Sequence, residues 1–392
     1  MKSGIPCLLS SIQTVFHQKA FQACLLDEET IQLIRENGLA AIVVEALMQN
    51  KQSVPNALLT DYYQFIRRDT LQMNAIQEIK QVFHHHQIKH IFLKGSILRT
   101  LYPQSFLRGM GDLDILVHPD QLEVTHRVLD TLGYLNTSNA PNHDSFEKGH
   151  DLIIEIHPKL NSEFDERFEG LFGSEWDEAY CLEDSTYRFH PEFELAYLIY
   201  HLAKHFSNSG IGLRSVLDLG IYYHHHQDAF RVEYFVELLK NANLLQFGSY
   251  VLAFQEVYFG YSYPRLIQAL PECKVVVLEE ILEWVSMTGI HGKAKDFNTS
   301  VAGMAFQAAK TNSVKKGKFN YIMKLLFPPR RQLVVQYPFL ETWGILLPLG
   351  WMLRGFRLLF KKTRRSIKRI QSLQVDKEAI SEASELFKKV GL

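Results

Sequence analysis

FLRGMGDLDILV, residues 106–117, decides how the rest of the chain is read. Its last six residues, 112–117, alternate as a short strand. Asp112 and Asp114 fall on one face, Leu113 and Ile115 on the other. Two carboxylates a few ångströms apart repel unless something positive lies between them. Magnesium takes hard oxygen ligands and shares them with phosphate oxygens, so this pair suits a metal-bound polyphosphate.

Upstream, IKHIFL (88–93) is a β-rich run that ends in Lys94-Gly95-Ser96. Glycine lets the backbone approach phosphates closely, and the following residues are expected to open a helix whose first amides favour anions. Lys94 and Arg108 flank this point and are expected to bind the β- and γ-phosphates. Downstream, Pro119 starts a helix that Gly133 ends; a Tyr134 strand and a polar loop follow. The run DLIIEIH (151–157) then places Ile154 and Ile156 on one face and Glu155 and His157 on the other. A charge inside so apolar a strand is costly unless it faces a polar site. Glu155 would complete a three-carboxylate clamp for two Mg2+ ions, with Glu155 or one aspartate taking the acceptor proton. An Asp-x-Asp or a Lys-Gly-Ser alone is common. Their order on successive strands carries the specificity.

At these residues the chain resembles the DNA polymerase β-type nucleotidyltransferase superfamily: Gly95-Ser96 after a strand, Asp112-x-Asp114, then Glu155. It is similar within it to the family described as uncharacterised nucleotidyltransferases. Lys94 precedes the glycine, Leu101-Tyr102-Pro103 follows the first helix, Arg108 stands before the aspartates, Gly133-Tyr134 follows the next helix, and the third strand ends Glu155-Ile156-His157. His201, His205, Leu213-Arg214 and Asp218 resemble that family's helical region. The likeness is specific over about residues 88–225. The 15-residue spacer between Ser96 and Asp112 is longer than in the superfamily at large and closer to the narrower family. The resemblance implies transfer of an NMP group from an NTP donor to a hydroxyl or phosphate acceptor, a small molecule or a protein, with pyrophosphate release. The other reading is a nucleotide-binding or antitoxin-like module on the same fold without turnover.

Around this block the chain reads as helical, and the expected fold is α+β: a small mixed sheet with helical regions before and after it. Expected divisions are 1–87, helical; 88–165, the sheet core; 166–292, a helical domain; and 293–392. Helices are expected over Leu58–Phe83, from Pro191, and near 211–226, 232–242, 246–258 and 275–289, with a further short strand near Tyr187. Residues 293–318 read as a polar loop or lid. His201 and His205, four apart, share a helix face. They contact the cleft together with Arg214 and Asp218, or bond between helices; a zinc site would need further ligands. The triplets His84–His86 and His224–His226 suit helix C-termini.

Lys and Arg total 42 against 43 Asp and Glu, so the protein as a whole is not an electrostatic nucleic-acid binder. Four scattered cysteines, Cys7, Cys24, Cys181 and Cys273, read as reduced and mostly buried thiols. Without a signal-peptide pattern at the N-terminus, a cytoplasmic protein is expected. TWGILLPLGWML (342–353) is uncharged, too short to span a bilayer and broken by Pro348, and eight basic residues follow between Arg354 and Arg369. This 333–369 segment docks on the protein's own helices, the favoured reading, lies on the inner membrane face, or binds an acidic partner or nucleic acid.

Overall fold

The computed structural model describes residues 4–140, 143–160, 175–292, 294–295, 297–334, 336–360 and 373–392. The chain opens with helices α1 (Ile5–His17), α2 (Glu28–Glu36), α3 (Ala40–Gln49) and the long α4 (Asn56–His85). Asp27 caps α2, its Oδ1 accepting from the Thr30 amide at 2.8 Å. Strand β1 (His90–Phe92), the single-turn α5 (Gly95–Leu98), β2 (Leu113–Val117), α6 (Leu122–Thr131), β3 (Leu135–Asn139), β4 (Asp144–Lys148) and β5 (Leu152–His157) form the central block. Strands β6 (Ala179–Glu183) and β7 (Thr186–Phe189) follow it.

The remaining helices are α7 (Pro191–Asn208), α8 (Leu213–His226), α9 (Val232–Asn241), α10 (Leu245–Phe254), α11 (Pro264–Gln268), α12 (Val275–Thr288), α13 (Ser300–Thr311), α14 (Val314–Leu326), α15 (Arg330–Val334), α16 (Phe339–Thr342), α17 (Leu347–Phe360) and α18 (Lys377–Lys389). Both histidine triplets lie at or just past the C-terminal ends of helices, α4 and α8.

The seven strands among the described residues join one mixed sheet in the order β3-β4-β5-β2-β1-β7-β6. The central pair, β2 and β5, is parallel, and β1 runs antiparallel to β2. The period of two divides the chemistry. Leu113, Ile115 and Val117 of β2 pack with Ile154 and Ile156 of β5 against Ala75, Ile79 and Phe83 of α4 and Val128 and Leu129 of α6. The opposite face carries Asp114, Glu155 and His157, with Leu116 joining the larger core built from the helices before and after the sheet. The architecture is thus α+β, as the alternation predicted.

The strand expected at Tyr134 is β3, beginning at Leu135, and the stretch read as a polar loop contains β4, paired with it in a hairpin. Every residue of β3 is exposed, so its sequence LNTSN shows no alternation of apolar and polar side chains; the ladder to β4 holds it. Residues 293–318, read as a loop or lid, contain α13 and the start of α14. Helix α13 buries Val301, Met304 and Phe306, and between them the small residues Ala302, Gly303, Ala305, Ala308 and Ala309 let helices approach closely. A Cβ on Gly317 of α14 would lie 2.4 Å from the Ala308 backbone.

Cys7 and Cys24 are joined in a disulfide and Cys181 is exposed, against the expectation of reduced, mostly buried thiols. The two partners sit on α1 and on the segment that folds back over it, a proximity that widely spaced cysteines do not reveal. The apolar run 342–353 also differs from expectation. It folds on its own neighbours, with Trp351 Nε1 donating to the Pro328 carbonyl at 2.8 Å, and leaves much of its apolar surface exposed. The basic run beyond it, from residue 361 to 369, lies outside the described residues.

Candidate active site

Asp112 stands one residue before β2 and Asp114 within it. In the parallel ladder Asp114 is the Cα partner of Glu155, and Leu116 of His157. Facing side chains from adjacent strands therefore bring the carboxylates together at the wall of a cleft of about 870 Å³. Lys94 and Gly95, at the turn after β1, line the same cleft. Lys94 adopts φ of 47°, a region that non-glycine residues rarely occupy, and its ammonium donates to Asp114 Oδ1 at 2.8 Å. Gly95 is required by closeness: a Cβ there would lie 2.3 Å from both Arg108 Nη1 and Met110 Sδ.

The charges are strongly coupled. Burial, then the neighbouring charges of Asp114 and Glu155, push Asp112 up to about 6. Burial would do the same to Asp114, but Lys94 and His157 outweigh it and hold that carboxyl well below the usual range. His157 Nε2 lies 2.9 Å from Asp114 Oδ1 and 3.6 Å from Glu155 Oε2. Burial disfavours its charge, yet its bonds to the two carboxylates raise its pKa. For Lys94, burial is likewise outweighed by Asp114, and its pKa stands above the ordinary value.

The other expected residues divide into two groups. Arg108 does not point freely at the cleft. Its guanidinium grips Asp218 through Nη2 at 2.9 Å and Nε at 3.2 Å, and Tyr102 donates its hydroxyl to Asp218 Oδ1 at 2.8 Å. Arg214 donates to the Gly109 carbonyl, and burial, then Arg108, lower its pKa to about 10. Asp218 and Arg214 are thus brought to the loop that presents the aspartates. His201 and His205 both line the cleft, with ring centroids 4.5 Å apart. Burial, then Lys94, lower the pKa of His201 well below its ordinary value. Ser96 is buried on the single-turn α5, and its hydroxyl finds no hydrogen-bond partner among the described residues.

Three residues escaped the sequence reading. His143 precedes β4, and the antiparallel register Asp144↔Ile156 carries it across from His157. Its Nε2 lies 3.3 Å from Glu155 Oε1. Ligand atoms of His143, Glu155 and His157 all lie within 4.8 Å of one another, a group that could hold a metal ion. Recognising the hairpin was the only route to His143. Tyr197, on α7 one turn before His201, hydrogen-bonds Lys94. Arg99 is buried at the cleft wall, paired with Asp69 at 2.7 Å.

Residues 26–260 match the model of the family described as "Uncharacterised nucleotidyltransferase". Neither the curated proteins nor the solved structures give a match.

Proposed function

The chain belongs to the uncharacterised nucleotidyltransferase family, and on that premise we propose that it moves an NMP group from an NTP to a hydroxyl or phosphate acceptor, using two Mg2+ ions held by Asp112, Asp114 and Glu155. The observation that carries this reading is the in-register pair Asp114–Glu155 with Asp112 beside it, on the cleft face of the two central strands. The donor set fits hard divalent cations. Three carboxylates meet at one wall; burial first, and then repulsion from Asp114 and Glu155, raise the pKa of Asp112, and bound cations would relieve that repulsion. Kinship with the polymerase β-type superfamily is part of the same proposal.

Bound magnesium would polarise the triphosphate and lower the pKa of the acceptor hydroxyl. The chain's own residues do the rest. Lys94 exchanges its bond to Asp114 for a phosphate oxygen, and Arg214, held at the Gly109 carbonyl beside the aspartate loop, adds positive charge to the cleft. Arg108, fixed by Asp218 and Tyr102, holds the glycine-rich loop before the aspartates. The acceptor oxygen bonds to the α-phosphorus as its bond to the β-phosphate oxygen breaks, so pyrophosphate leaves. The acceptor proton passes to Glu155, beside His143 and His157.

Pyrophosphate release from each NTP with Mg2+, with and without fractionated cell extract, tests this beside Asp112→Asn. Release that needs one NTP and Asp112 is the expected result. Tight NTP binding with no release under any condition would favour a nucleotide-binding module without turnover.

A further inference from the structure

Helix α17 breaks the rule that a surface helix turns its apolar stripe to the core. Leu349, Met352, Leu353 and Phe356 recur at i, i+3, i+4 and i+7, and all four are exposed, Met352 at 58% and Phe356 at 54%. The inner side of the helix is already satisfied. A Cβ on Gly350 would lie 2.9 Å from Leu340, and the Trp351 ring meets Phe327 at 5.3 Å. On the turn that leads into the helix, Trp343 is 61% and Ile345 86% exposed. Large apolar side chains gathered this way mark an interaction surface.

Charge selects the partner. Between residues 314 and 357 the sequence has eight Lys and Arg and one acidic residue, Glu341. The rest of the chain has 34 Lys and Arg against 42 Asp and Glu, so positive charge is concentrated here. Arg357, exposed, borders the stripe. On α14, Gly317 faces α13, which turns Phe319 and Leu326 outward with Lys315 beside them. Nucleic acid would use the cations but leave Ile345 and Met352 in water. A purely apolar protein partner would not need the cations.

We propose that the surface of α17 and the turn before it lies flat on an anionic lipid bilayer, the apolar side chains entering the headgroup boundary and the cations meeting lipid phosphates. At 14 residues α17 is about 21 Å long, short of the ~30 Å hydrocarbon core. Among the described residues no helix is long and apolar enough to cross a membrane.

The test is sedimentation of the full chain with vesicles of phosphatidylcholine alone and of equimolar phosphatidylcholine and phosphatidylglycerol. Ile345→Glu/Met352→Glu/Phe356→Glu is run beside it, with an unchanged circular dichroism spectrum and Tm as the fold control. The wild type should bind the anionic vesicles and not the neutral ones. The triple variant should bind them about tenfold or more weakly. A Trp343→Phe variant should lose part of the blue shift in emission that vesicles induce. No vesicle binding by the wild type, or undiminished binding by a folded triple variant, would overturn the proposal. So would a dimer, or an oligonucleotide complex, that the triple substitution breaks while vesicles are ignored.

Discussion

Asp114 and Glu155 stand opposite each other in the ladder of β2 and β5, 41 residues apart in the chain and direct Cα partners in the sheet. A slip of one residue in that register would turn Glu155 into the apolar face shared with Ile154 and Ile156, against α4 and α6. The cost of burying a carboxylate there is what fixes the register, so the site and the core specify each other.

Asp112 sets function against stability. Its pKa in the fold, about 6, is above its ordinary value, so the folded protein holds this proton more tightly than the unfolded chain does. Ionising it therefore costs stability, increasingly as pH rises from about 4 to 6 and constantly above that. Asp112→Asn should raise the stability of the metal-free protein at pH 7.5 by about 1–3 kcal/mol, with the gain vanishing near pH 4. Thermal melts across pH check this. Mg2+ should raise the wild-type Tm and leave that of the variant nearly unchanged.

Lys94 is the cation on which Asp114 leans. Lys94→Met keeps the length of the side chain and removes the charge, leaving Asp114 with His157 alone. The expected loss is about 2–4 kcal/mol of stability in the absence of metal. Mg2+ should restore part of it, read as a larger metal-induced Tm shift than in the wild type. The KM for NTP should rise more than kcat falls.

The Arg108–Asp218 pair is buried on both sides and shared with Tyr102. Asp218→Ala should cost about 3–5 kcal/mol because it strands the guanidinium. Arg108→Leu with Asp218→Leu should cost less than the single change. Denaturant titration of the three proteins decides it; equal losses would show that the pair does not act as a unit.

Alanine normally stabilises a helix relative to glycine by about 1 kcal/mol. At position 317 the sign should reverse, since the new methyl would meet the backbone of Ala308 at 2.4 Å. Gly317→Ala should lower stability by about 1–3 kcal/mol, read from the urea midpoint.

The sequence showed the carboxylates and Lys94 because strand alternation is a local signal: each of these residues interrupts an apolar run or follows one. It also placed α4, from its helical spacing, and α7, from the proline that opens it. It did not show that Arg108 belongs to Asp218, a pairing over 110 positions that only packing creates. Nor did it show β4, which lay in what read as a polar loop, or its pairing with the strand after Tyr134, and with them it missed His143. Helix α13 was missed because small residues surround its few bulky apolar ones, Val301, Met304 and Phe306, and blur the helical period. Two cysteines 17 apart gave no hint of their bond.

Strand β2 is bonded to β5 on one side and β1 on the other, in the middle of seven strands, whereas β3 and β6 close the two edges. Amide protons at the centre of such a sheet exchange with solvent only when the sheet itself opens, while edge amides escape by local fraying. Deuterium should therefore enter the β3–β4 hairpin long before it reaches Asp114. Opening of the outer hairpin would carry His143 away and leave the paired Asp114 and Glu155 standing, so the histidine can come and go over a carboxylate floor that does not move.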